Sequence, residues 1–287
     1  MTCRHIEIRP LTPALGAEIS GPEGRQLDLS QPLDAAVFAD IERAFHEYAV
    51  LVFRDQRLDP AALAAFAGRF GPLGRYPFAA PLPGHPHVVP IIKEAHQTTN
   101  FGGMWHSDTA YLERPPLGSA LYALEVPPLG GDTLFANMVL AYESLSSGMQ
   151  ALLDGLKAIN SAAKNGGTVR AAPLAEGTMV GRDLDKMATH EAVHPVVRTH
   201  PVTGRKALYV NRAHTVRFEA MSEAESAPIL EFLFAHAVRE EFTCRVRWAP
   251  GTLALWDNRC TQHYPLNDYH GHRRVMHRVT IEGERPV

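Results

Sequence analysis

Apolar and polar positions alternate in short runs along most of the chain, with Pro and Gly between the runs. That pattern predicts many short strands and few helices. Ile6–Ile8 and Ala17–Ile19 read as strands ahead of the turn Gly21-Pro22-Glu23-Gly24. Over Pro32–Tyr48 the spacing becomes helical, with Val37, Ile41, Ala44, Phe45 and Tyr48 on one face. The run Ala49–Phe53 is continuously apolar and β-rich, which predicts a buried strand. Asp59 before Pro60 is a cap followed by proline at the first helical position, so a second helix is expected over Pro60–Phe70. Val88–Ile92, Pro116–Val126 and Asp132–Phe135 predict strands, the second of them central. Val139–Leu145 and Gly148–Leu156 predict short helices.

Strands resume near Val193–Thr199 and Ala207–Val210. Ser222-Glu223-Ala224-Glu225 is a capping box that opens a helix to about Arg239. Thr243–Trp248, Thr252–Trp256 and Val275–Ile281 are strands again. Between Ser161 and Glu191 the periodicity lapses, with four Gly and several charges. An insertion of that length predicts a flexible lid, in which Lys164, Arg170 and Arg182 are placed to meet an anion. No repeat or linker divides the chain, so residues 1–287 are expected to form a single domain. The C-terminal strands follow one another through short turns. That argues for a mainly β protein with flanking helices, a double-sheet barrel or jelly roll, over a doubly wound parallel sheet.

Composition narrows the function classes. With 45% hydrophobic and 21% charged residues the chain reads as an ordinary soluble protein. A net charge of -3 and the lack of Lys/Arg runs predict no nucleic-acid partner. No apolar run reaches 18 residues, so no membrane span is expected. Arg4, His5, Glu7 and Arg9 break up the N-terminus, which does not read as a signal peptide. Cys3, Cys244 and Cys260 are far apart and lack CxxC spacing. A reduced, cytoplasmic protein without disulfides is the expectation.

Candidate chemistry lies in three stretches. His106 and Asp108 in Trp105-His106-Ser107-Asp108 are two residues apart, which on a strand or its end puts both on one face. His263 is the third candidate ligand. Two His and one carboxylate on one face of a metal leave open positions, the facial arrangement of non-haem iron(II) oxygenases. Arg274 follows His263 by 11 residues and Arg278 by 15. On a strand these two arginines share a face, about 13 Å apart at ~3.3 Å per residue. An inward guanidinium requires a partner, and an anionic ligand would supply it. The same three ligands also suit a zinc hydrolase, although no HExxH is present. A non-catalytic binding protein is the remaining rival.

Trp105-His106-Ser107-Asp108, Gly130-Gly131-Asp132-Thr133 and the run from Trp256 to Arg278 resemble the taurine dioxygenase/2,4-dichlorophenoxyacetate dioxygenase family. Gly16–Gly21, Arg69-Phe70-Gly71, His194–Pro201 and Gly204-Arg205-Lys206 extend the similarity over nearly the whole chain, the Ser161–Glu191 insertion excepted. The resemblance implies a double-stranded β-helix, a cupin-like jelly roll. It implies Fe(II) held by His106, Asp108 and His263, with 2-oxoglutarate and O2 as cosubstrates. Thr133 and Arg274 match the residues that hold the far carboxylate of 2-oxoglutarate, and Arg278 matches an arginine on the substrate side. A homo-oligomer, dimer or tetramer, is also implied.

Four positions differ from the taurine-contacting residues of that family: Tyr76, Ala79, Gly102 and His214. Small residues at Ala79 and Gly102 enlarge the expected pocket, while Tyr76 and His214 offer hydrogen bonds. The expectation is therefore a small-to-medium organic anion other than taurine: an alkyl or sugar sulfonate, a sulfate ester or an aryloxyalkanoate. Hydroxylation would break a C–S or C–O bond, with succinate and CO2 released. Stable hydroxylation of a metabolite or amino-acid derivative is the alternative outcome.

Overall fold

The computed structural model describes residues 5–76, 79–164 and 189–287. Two sheets face each other in a jelly roll. The larger sheet contains β1 (Glu7–Pro10), β2 (Ala17–Ser20), β3 (Val50–Phe53), β4 (Val88–Lys93), β5 (Gly118–Glu125), β13 (Leu253–Asp257) and β15 (Arg274–Ile281). Their spatial order is β1-β2-β3-β13-β5-β15-β4. The smaller sheet has β6 (Thr133–Asn137) between β12 (Thr243–Val246) and β14 (Thr261–Pro265). A third sheet joins β7 (Lys157–Ser161) to β8 (Glu191–Pro195) and β11 (Thr215–Phe218), and β9 (Val197–Thr199) pairs with β10 (Lys206–Leu208). Among the described residues, no helix is long and apolar enough to cross a membrane.

Period-2 alternation divides the core into two layers. Val50, Val52, Leu121, Ala123, Ala254, Trp256 and Met276 face the smaller sheet, where they meet Phe135, Val246 and Trp248. Their neighbours Leu51, Phe53, Ala120, Tyr122, Leu253, Leu255 and Val279 point the other way. There they bury the apolar faces of α1 (Ala35–Tyr48) and α2 (Pro60–Ala67). A third cluster packs α3 (Met138–Glu143) and α5 (Glu223–Ala237) behind the smaller sheet, and α4 (Ser147–Leu153) precedes β7.

The expected elements are present, with shifted ends. Ala49 belongs to the cap of α1, not to β3, because the chain reverses there at φ +60 and the Ala49 N–H bonds Phe45 O. Helix α2 stops at Ala67, three residues early, where Gly68 caps it. The capping box of α5 forms in both directions between Ser222 and Glu225. Strands β7, β11 and β14 lack a strong apolar alternation and exist through their partners. Strand β14, for example, pairs with β6 along its whole length. Ser161 pairs with Glu191 at the open end of β7 and β8, so the expected insertion leaves the sheet from one closed base. Arg170 and Arg182 lie outside the described residues. Lys164 turns inward, where its ammonium donates to Thr215 O and lies 4.8 Å from the Phe234 ring. Burial and the Arg212 charge lower it to about 8. Cys244 and Cys260 are buried free thiols.

The segment His194–His200 is a strap. Every second side chain is buried, and three of them tie distant elements together. The His194 Nε2 meets Leu112 O at 2.9 Å, Arg198 binds Glu284, and the His200 Nε2 meets Asp257 Oδ2 at 3.0 Å. His200 Nδ1 accepts two backbone N–H bonds, from Val202 and Thr203, so its proton is on Nε2 and is donated to Asp257. Arg259 grips the same carboxylate through Nε and Nη2 at 2.8 and 2.6 Å.

Burial lowers the pKa of His46, His194 and His277 from 6.5. Each binds its proton at lower pH in the folded chain than in the unfolded chain, where protons bind below about pH 6.5. Their contribution is complete above that value and is lost as pH falls through it. Asp257, which burial raises but Arg259 and His200 lower further, acts only at more acid pH. Urea unfolding of the metal-free protein should show stability falling steadily from pH 7.5 to 5.5. A flat profile over that range would contradict the assignment.

Candidate active site

Sheet closure assembles the site. His106 forms a one-residue antiparallel bridge with His263 of β14. Each donates its N–H to the other's carbonyl, at 3.1 and 2.8 Å. The pair adds His106 to the edge of the smaller sheet and brings the two imidazole centroids to 4.1 Å. The chain then leaves the sheet, so Asp108 shares the face through a turn rather than a regular strand. Asn258, at the β13–β14 corner, holds that turn. It accepts from Asp108 N at 2.7 Å and donates to Asp108 O and Pro116 O at 3.2 Å. Ser107 Oγ donates to Thr261 O at 2.8 Å. Thr109 follows at φ +42, a left-handed conformation that costs a β-branched residue on the order of 1–3 kcal/mol.

The three candidate ligands are buried, and one donor atom from each lies within 4.8 Å of the others. Asp108 Oδ1 is 3.8 Å from the Nε2 of both His106 and His263. Metal bonds of about 2.0–2.2 Å would place adjacent donors about 3 Å apart. The carboxylate oxygen therefore needs to close by less than ~1 Å on each imidazole to share a metal with it. The His106 Nδ1 lies 2.7 Å from Met104 O, which keeps its proton there and presents Nε2 as the ligand atom. Burial, then the neighbouring His106, pushes His263 well below the usual imidazole range, so it is neutral. Burial alone would raise the Asp108 carboxyl. That is the largest single effect, but Arg278, His263 and His106 together outweigh it, Arg278 by both charge and hydrogen bond, and the group lies well below the usual carboxylate range.

His46, His200 and Asp257 form a second cluster of metal-ligand types. Its carboxylate is already paired with Arg259 and hydrogen-bonded by His200. That guanidinium occupies the place of a cation, and the cluster reads as a buried ion pair.

Beside the first cluster is an inner cavity lined by Thr133, His106, His263, Trp256, Arg274 and Arg278, among others. Arg274, Met276 and Arg278 share the inner face of β15, as their spacing predicts. Arg274 is buried, and its Nε and Nη2 have no hydrogen-bond partner. Burial lowers its pKa, so the charge is poorly compensated. Thr133 Oγ1 accepts from Trp248 Nε1 at 3.0 Å, and its own O–H remains a donor. An anionic group is what this corner lacks.

The other candidate residues separate. Arg278 does not present its whole fork to the cavity. Its Nη2 lies 2.5 Å from Asp108 Oδ2 and donates to Ser119 Oγ at 3.0 Å, while Nε is buried without a partner. Tyr76 lies 5.8 Å from the Arg278 guanidinium and edge-on to Phe101. His214 is buried, 6.3 Å from the His106 ring and 5.1 Å from Tyr111. Gly102 serves a different end from enlarging a pocket. Its φ is +83, and a Cβ there would lie 2.9 Å from His106 Cε1. Ala79 packs against Val89.

Ser119, Asn258 and Trp248 escaped sequence reasoning. Ser119 is fully buried in β5 and donates to Asp108 Oδ2 at 3.1 Å. A lone serine in an apolar run carries no signal of its own. Asn258 did have one, since it lies in the run Trp256–His263 that was read only for its histidine.

The taurine catabolism dioxygenase TauD, TfdA family model matches residues 7–280. The chain is 34% identical over 284 residues to the alpha-ketoglutarate-dependent sulfate ester dioxygenase of Pseudomonas putida, covering 98% of this chain and 91% of that protein. It is 32% identical over 282 residues to the alkylsulfatase of Acinetobacter baylyi, covering 98% and 86%. The crystal structure of a taurine dioxygenase from Burkholderia xenovorans superposes with a TM-score of 0.80 at 33% identity, over 99% of this chain and 93% of that one. With a family model spanning nearly its full length and relatives alike from end to end, this chain belongs to the TauD, TfdA dioxygenase family.

Proposed function

We propose that the protein is an iron(II)- and 2-oxoglutarate-dependent dioxygenase. It hydroxylates a small-to-medium organic anion, a sulfate ester, alkyl or sugar sulfonate or aryloxyalkanoate, at the carbon bearing the heteroatom. The observation that carries this reading is one cavity holding both a buried two-His, one-Asp cluster and the unpartnered guanidinium of Arg274. A zinc hydrolase would use the cluster but leave Arg274 without a role. The similarity to sulfate ester enzymes supports the substrate class.

His106, Asp108 and His263 would hold the metal through Nε2, Oδ1 and Nε2. Arg274 and the Thr133 hydroxyl would bind the distal carboxylate of 2-oxoglutarate, which supplies the missing anion. When bound, iron and 2-oxoglutarate supply the oxygen-activating chemistry that side chains lack. The apolar walls Ile91, Phe101, Leu121 and Trp256 exclude water from it. Ser119 and Arg278 hold Asp108 Oδ2, which leaves Oδ1 for the metal. Tyr76 and His214 stand beside the metal cluster, where they would contact the substrate. A hydroxylated carbon that carries sulfate or sulfonate collapses to a carbonyl as the C–O or C–S bond breaks.

Oxygen uptake and succinate formation should rise with alkyl sulfates or alkanesulfonates in the presence of Fe(II) and 2-oxoglutarate, with sulfate or sulfite released. His106→Ala should abolish this, and well-folded protein without oxygen-dependent turnover of 2-oxoglutarate would overturn the proposal. Arg274→Met should raise the KM for 2-oxoglutarate about 10- to 100-fold, since charge-assisted hydrogen bonds are worth about 1.5–3 kcal/mol; an unchanged KM would remove Arg274 from that role. Ser119→Ala should weaken Co(II) binding, read from its visible absorption, by about tenfold. An unaltered titration curve would show that Asp108 does not depend on Ser119.

A further inference from the structure

The inner cavity is small, about 40 Å³. A second, outer cavity of about 340 Å³ is lined by Arg75, Tyr76, Thr109, Arg114, Thr280 and Glu282, among others. Three residues make the two cavities neighbours. Tyr76 lines the outer one, and its ring lies 5.8 Å from Arg278 and 6.4 Å from Phe101, both in the inner wall. Thr109 follows the candidate ligand Asp108 directly. Thr280 follows Arg278 by two residues on the same face of β15, about 6.6 Å further along the strand. The outer cavity thus continues the line that runs along β15 from Arg274 past Arg278.

Among the described residues, more arginines have an acidic partner than lack one. Arg75 and Arg114 are exposed, and neither forms an ion pair among the described residues. Glu113, next to Arg114, lies 3.6 Å from Arg285 instead. Glu282 adds one carboxylate to the lining, which remains positive overall.

We infer that the outer cavity is a second anion subsite, receiving the far end of an elongated substrate that bears another negative group. The inference rests on the proposed dioxygenase reading and narrows its substrate to organic dianions. The head group would lie at Tyr76 and Arg278, and the distal carboxylate or sulfate at Arg75 and Arg114.

The test compares hexyl sulfate with 6-sulfooxyhexanoate, which differ by the distal carboxylate. Both are titrated calorimetrically into the full chain loaded with Fe(II) and 2-oxoglutarate under argon. The dianion should bind more tightly. The ratio of the two Kd values should shrink up to about fivefold for each arginine removed in Arg75→Gln and Arg114→Gln, the range for exposed charge pairs. It should also fall with added salt. Equal affinities in the unaltered protein, or a preference that survives in the double variant, would overturn the subsite. The dioxygenase reading fails separately, through absence of succinate when air is admitted, because the affinity ratio requires no turnover.

Discussion

The structure depends on one constraint: the Asp108 carboxylate is buried with two imidazoles on one oxygen and a guanidinium and a hydroxyl on the other. A charge in such a place costs several kcal/mol unless it is paired and hydrogen-bonded. Its partners come from β5, β14 and β15, and Asn258 fixes its backbone from the β13–β14 corner. Both sheets must therefore be closed before Asp108 is satisfied. The candidate metal ligand is also the group that most requires the finished fold.

The strap His194–His200 and the Asp257–Arg259 ion pair extend this logic outward. Asp257 ends β13, and the Thr261 hydroxyl bonds its carbonyl. His200 and Arg259 hold its side chain from outside. The corner that delivers Asn258 and His263 is thereby set by buried charges rather than by turn propensity. At the start of β15, Arg274 is buried with its Nε and Nη2 unpartnered. A satisfied carboxylate and an unsatisfied guanidinium in one cavity are what a site built to take a charged ligand requires.

Arg278 shows how function and support share a side chain. One amino group is committed to Asp108 and Ser119, and Nε is buried without a partner. A substrate anion would then meet an arginine already oriented by the carboxylate, at little further cost in side-chain entropy. Gly102 carries a similar double constraint. Backbone at φ +83 and contact with His106 leave no room for a side chain, so its smallness says more about the imidazole than about substrate size.

Local pattern was enough for much of this. Apolar runs bounded by turn residues marked β3, β5, β13 and β15 as strands, and Ser222 with Glu225 announced α5. The i, i+2 spacing of His106 with Asp108 and of Arg274 with Met276 and Arg278 marked the chemistry, because such spacings survive any arrangement of the strands. Strands β7, β11 and β14 were not legible, since their own residues are weakly patterned and their stability comes from partners. Ser119 was equally silent: its role exists only because β5 lies beside β15 and against the turn that carries Asp108. Residue type and spacing are enough to say which side chains bring charge, which are candidate ligands, and that Arg274 and Arg278 share a strand face. Which charges neutralise one another is settled in three dimensions, because pairing across a closed jelly roll depends on sheet order and register, which no local spacing encodes.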